Sequence, residues 1–94
     1  MELSERYIQK LESEGFTHVY DWQDAANTIY KEHAHGDKTV IIITDGSMEV
    51  TLDGEKKVLS MHDRLDIPPK VKHSVIVGPS GCGYVVGAMN EEDS

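Results

Sequence analysis

The rhythm of polar and apolar residues changes at Gly15. Before it, Tyr7, Ile8 and Leu11 form one apolar stripe at helical spacing. Ser4 can cap that segment and Gly15 can end it, so a helix is predicted over 4–14. After Gly15, apolar positions alternate with polar ones in short runs, which predict strands at 16–20, 28–34, 39–44, 48–52, 57–59, 65–67, 74–77 and 84–88. Asp45-Gly46, Asp53-Gly54, Pro68-Pro69 and Gly78-Pro79-Ser80-Gly81 read as connections, and Asp53-Gly54 is a two-residue hairpin signal. No helix-length segment separates the later strands. The pattern therefore argues for an all-β antiparallel sandwich or barrel and against a parallel βαβ sheet.

Alternation assigns faces. Met48, Val50 and Leu52 share one, as do Leu65 and Ile67 against Arg64 and Asp66. In the strand after Asn27, strict alternation puts Ile29, Lys31, His33 and His35 on one face and Tyr30, Glu32 and Ala34 on the other. Two histidines two residues apart stand about 6–7 Å apart along a strand, close enough to converge on one ion. His73, just past the Pro-Pro turn, offers a third imidazole. Imidazole suits zinc, copper, iron and nickel. The plainer reading of such a pair is a surface pair or a satisfied core pair.

Composition narrows the class. The chain has 94 residues and 10.5 kDa, enough for one domain. Its net charge of -8 is uneven. Residues 1–32 hold seven acids and three bases, residues 33–90 seven and six, and Glu91-Glu92-Asp93 add three further acids. Without a basic stripe, neither nucleic acid nor an anionic membrane is an expected partner. The longest apolar run, Val40-Ile41-Ile42-Ile43, is far short of a membrane span. The single cysteine, Cys82, excludes an internal disulfide, and the start has no signal-peptide pattern, so a cytoplasmic protein is expected.

The histidines and their surroundings resemble the cupin superfamily. Its first motif is glycine, five residues, His-X-His, three or four residues, glutamate, six residues, glycine. Here that frame reads Asn27, His33-Ala34-His35, Thr39 and Gly46. Its second motif is glycine, five residues, Pro-X-Gly, two residues, histidine, three residues, asparagine. Here it reads His62, Pro68-Pro69-Lys70, His73 and Val77. His33, His35, Gly46, Pro68 and His73 match at the family spacing, and the resemblance covers roughly residues 16–88. It implies a small jelly-roll barrel, or double-stranded β-helix, which the helix predicted from the residue pattern precedes. The expected division is a helix over 1–15, a barrel over 16–90 and an acidic tail over 91–94.

The resemblance also implies a divalent metal, iron, zinc, nickel or manganese, held by His33, His35 and His73. Thr39 stands where the family has its glutamate ligand, which leaves the dication's charge uncompensated and favours an anionic ligand in the open positions. Asp37 is a candidate replacement carboxylate, and His62 a candidate extra ligand weighed against a solvated turn residue. Beyond Thr39, the expected pocket wall is Ile41, Ile43, Met48, Val50, Leu65, Ile67 and Val75. Tyr30, Trp22 and Tyr84 are packing or wall residues, His18 a packed or surface histidine, and Cys82 a buried thiol. Lys31 either leaves the rim or reaches an anionic ligand. Family members commonly pair, so a homodimer is expected.

Three functions fit. One is a metal-dependent enzyme, oxygenase or isomerase in type, acting on a small anionic molecule, although no general base is identifiable. Another is a non-catalytic ligand-binding or sensing module. The third is an apo barrel with a vestigial site. Fold alone does not choose among them.

Overall fold

A computed structural model describes residues 2–89. The helix α1 (Leu3–Ser13) is followed by β1 (His18–Asp24), β2 (Ile29–His33), β3 (Lys38–Leu52), β4 (Glu55–Ser60), β5 (Arg64–Ile67) and β6 (His73–Met89). Glu2, not Ser4, occupies the helix N-cap position. The expected tail over 91–94 lies outside the described residues.

All strand pairs are antiparallel, and β3 and β6 pair with each other almost end to end. The first half of β3 carries β5 on its other side, and its second half carries β4. The first half of β6 carries β2, and its second half carries β1. Two leaves result: β1–β6–β3–β5 and β2–β6–β3–β4, each built from half of each long strand. This is a jelly-roll barrel.

Two expected connections are corrected. Asp45-Gly46 does not end a strand, and Gly78-Pro79-Ser80-Gly81 does not separate two. Each is where a long strand passes from one leaf to the other. The β3–β6 register jumps from Gly46↔Cys82 to Met48↔Val77, so four residues of β6 stand against Ser47 alone. Pro79 lies in that broad bulge, where no ladder donor is required. Gly46 has φ +71, and a Cβ there would run into the Gly81 carbonyl, so the crossing demands glycine. Asp53-Gly54 is a hairpin turn as expected, with φ values of +50 and +82 and Leu52 paired to Glu55.

The run Val40–Ile43 is apolar throughout because both faces of its leaf are covered. Ile41 and Ile43 point between the leaves with Met48, Val50, Leu59, Leu65 and Val77. Val40 and Ile42 point outward and pack with Leu11, Phe16 and Val85 beneath α1. Arg64 secures the end of the helix, with two 2.8 Å bonds to the Glu14 carboxylate and a further pair to Asp66. The guanidinium holds the Glu14 carboxyl at about 2, well below the usual range.

Candidate metal centre and cavity

A cavity of about 510 Å³ opens between the leaves. Tyr20 and Trp22 of β1, Tyr30 and His33 of β2, and His35 just beyond it form one side. Thr39 and Ile41 of β3, Ile67 of β5, and His73, Val75, Tyr84 and Val86 of β6 complete it.

The β2 histidine reaches the interior by an irregular route. The β2–β6 register runs Ile29↔Ile76, Tyr30↔Val75 and then His33↔His73, shifted by a bulge between Tyr30 and His33. Strict alternation therefore fails there. Tyr30 and His33 both line the cavity, Ile29 points outward at 66% exposure, and Lys31 does not share the face of His33. The Pro-Pro turn secures the second histidine: the Lys70 N–H donates to the His35 carbonyl at 2.7 Å. Lys70 has φ +66, and Asn27 and His62, the other two residues that replace a glycine of the family motifs, have φ +63 and +75.

The three imidazoles meet. Ring centroids lie 4.8 Å apart for His33–His35, 4.3 Å for His33–His73 and 5.1 Å for His35–His73. One ligand nitrogen from each falls within 4.8 Å of the others. Nitrogens bound to one ion at 2.0–2.2 Å stand about 3–3.5 Å apart, so a small rotation of the rings closes the cluster. The tautomers suit it. His33 Nδ1 lies 2.6 Å from the Lys31 carbonyl and His73 Nδ1 3.1 Å from the Val71 carbonyl. A carbonyl only accepts, so each Nδ1 carries the proton and each Nε2 lone pair is free for a ligand bond. Burial, reinforced by the neighbouring imidazoles, holds His73 below the ordinary histidine range against the opposing pull of the Val71 carbonyl.

The remaining candidates are placed as follows. Thr39 lines the cavity, its hydroxyl 3.5 Å from the Asp37 carbonyl. The Asp37 carboxylate does not join the cluster. Ile41, Ile67 and Val75 form wall. Ile43, Met48, Val50 and Leu65 belong to the core that this wall continues into and do not line the cavity. His62 faces α1 instead, with Nδ1 2.8 Å from the Tyr7 hydroxyl, and His18 pairs with Thr17. Cys82 is buried, and burial together with the Asp24 and Asp45 charges pushes its thiol up to about 11, so it is no nucleophile at neutral pH.

Sequence reasoning missed Asp24, which is buried at 8% exposure behind the aromatic wall. It accepts from Trp22 Nε1 at 2.9 Å, the Tyr30 hydroxyl at 2.6 Å and the Tyr84 hydroxyl at 2.7 Å. The available signal was the period of two in Tyr20, Trp22 and Asp24, which continues the first strand inward past Tyr20.

No family profile matches the chain, and no curated protein matches it. Solved structures do. An RmlC-like cupin from Shewanella frigidimarina NCIMB 400 is 26% identical, with 80% of this chain and 68% of that one covered and a TM-score of 0.69. KdgF from Halomonas sp. is 21% identical over 80% of this chain and 71% of its own, with a TM-score of 0.67. A cupin-like protein from Thermotoga maritima is 22% identical over 81% and 59%, with a TM-score of 0.71. Over four fifths of its length, the chain therefore follows the backbone course of these structures. The chain is a small cupin-fold protein with a short N-terminal helix.

Proposed function

We propose that His33, His35 and His73 hold one divalent metal through their Nε2 atoms, and that the cavity binds a small anionic molecule against it. The observation that carries this is the pair of Nδ1 atoms anchored on the Lys31 and Val71 carbonyls, which aims the opposite lone pairs inward. Three neutral nitrogens suit zinc, iron or nickel better than manganese, and they leave the ion's charge to be met by the ligand. A bound ion supplies Lewis-acid polarisation of the ligand's oxygen. The chain's own contribution is positional. The imidazoles orient the ligand's charged end, and Ile41, Ile67, Val75 and Val86 keep water from its body.

A specific observation favours binding over turnover. Among the described residues lining the cavity, no carboxylate is present to act as general base. Asp24, a buried carboxylate behind the wall, is already occupied by three donors. A non-catalytic binding or sensing role therefore stands beside an oxygenase or isomerase, which would have to take its base from the substrate or solvent.

Metal content of protein purified without a histidine tag tests the site. Single alanine replacements at His33, His35 and His73 are expected to remove metal, and His18→Ala and His62→Ala to retain it. Loss of metal in His62→Ala with retention in His73→Ala would contradict the assignment.

A further inference from the structure

Asp24 and His73 are the buried polar or charged residues among those described. His73 belongs to the imidazole cluster, and Asp24 has no part in that reading. Its surroundings are chemically one-sided. Oδ1 accepts from the Trp22 indole and the Tyr30 phenol, and Oδ2 from the Tyr84 phenol. Three donors and no acceptor match an ionised carboxylate, which can only accept. Burial and then the Asp24 hydrogen bond push the Tyr84 phenol well up, and the Asp24 bond pushes Tyr30 up too, so both phenols keep the protons they donate.

All three donors line the cavity. The strand ladders say at which end. Across one leaf the rows run Thr39–Ala88–His18, then Ile41–Val86–Tyr20, then Ile43–Tyr84–Trp22, and Asp24 comes in the row after that, opposite Cys82. In the other leaf His33 pairs with His73 and Tyr30 with Val75, and Tyr30 reaches Asp24 through its hydroxyl. Tyr30 thus stands between the imidazoles and the carboxylate. The cavity is polarised, with metal-ligating nitrogens toward one end and a fixed negative charge one aromatic ring behind the wall toward the other. Polar atoms of Trp22, Tyr30 and Tyr84 are turned to Asp24, and the surface they leave to the cavity is ring carbon, continuous with Ile41, Val75 and Val86.

We propose that Asp24 sets the ligand's charge: the cavity takes a monoanion whose single charged group sits at the imidazoles and whose body is uncharged and apolar, and it rejects a second negative charge at the aromatic end. This rests on the three imidazoles holding a metal, and it adds a substrate class to that reading. A purely structural role for Asp24, tying β1, β2 and β6 together, predicts no such discrimination.

Trp22 is the chain's single tryptophan and lies in the wall, so its fluorescence reports occupancy. The experiment uses zinc-loaded protein and three matched probes: 3-phenylpropionate, its para-carboxamide and its para-carboxylate. The first two are expected to bind within about threefold of each other, and the para-carboxylate at least about tenfold more weakly, because like charges inside a partly dry cavity are poorly screened. In Asp24→Asn, which keeps the size and one acceptor oxygen, the gap between carboxamide and carboxylate is expected to close to within about threefold. Zinc is measured separately by calorimetry. Absence of zinc binding to the natural protein would refute the metal reading. With zinc held, equal binding of carboxamide and carboxylate, or no binding of any probe, would overturn the proposal about Asp24. So would a gap that persists in Asp24→Asn. The three-probe comparison in the natural protein decides the matter even if Asp24→Asn does not fold.

Discussion

Thr39 lines the cavity that holds the imidazole cluster and brings a hydroxyl where the family motif has a carboxylate. A carboxylate placed there adds a charged oxygen donor, which manganese values more than zinc does. Thr39→Glu is expected to tighten manganese binding at least about tenfold, about 1.4 kcal/mol, with a smaller gain for zinc and little change in Thr39→Val. Titration of manganese into the three metal-free proteins checks this. His73 adds a dependence on pH. Burial lowers its pKa, so the unfolded chain, with an imidazole near 6.5, takes up a proton that the fold resists. Stability present above about pH 6.5 is therefore lost as pH falls from there through the lower folded value. The melting temperature of metal-free protein is expected to fall as pH drops below about 6.5, and to fall less in His73→Gln. The triad was legible in the sequence because histidines at a family spacing carry the signal in their identity. Asp24 was not legible, since a lone aspartate after a tryptophan looks like surface until Tyr30 and Tyr84 arrive from other strands.

Elements differ in how much local sequence decides them. The Asp53-Gly54 hairpin was readable because both residues accept left-handed backbone. The crossings at Gly46 and Gly81 were not, since the same glycine signal marks a turn in one setting and a bend inside a continuous strand in another. Only pairing between β3 and β6 distinguishes the two. The bulge before His33 is likewise tertiary. It comes from matching β2 to β6, and alternation within β2 misplaced Lys31 and Tyr30 for that reason. At Lys70 the left-handed backbone costs an L-residue about 1 kcal/mol, partly offset in glycine by the entropy of the unfolded chain. Lys70→Gly is expected to raise stability by about 0.5 kcal/mol while keeping the N–H bond to the His35 carbonyl, a change that urea unfolding resolves. A loss of stability would mean that the lysine side chain contributes packing not evident in this turn.

For the whole molecule, the two leaves are covered unequally. α1 shields the outer face of one leaf, with Arg64 fixed to Glu14 at its end. The outer face of the other leaf carries Ile29, Ile76, Glu49 and Val58 in one row, with exposures of 66% for Ile29, 49% for Ile76 and 71% for Val58. Pairing of two chains through that row is the expected association. Light scattering at micromolar concentration is expected to give a dimer, and Ile76→Glu a monomer; a mass near 10.5 kDa for the natural chain would refute pairing. No helix is long and apolar enough to cross a membrane among the described residues. The proposed metal centre is the feature on which the proposed ligand and charge selection rest. Its most direct test is calorimetric titration of zinc into metal-free protein near pH 7.5. The account predicts one zinc per chain, abolished in His73→Ala. Absence of binding, or a stoichiometry and affinity unchanged in His73→Ala, would contradict it.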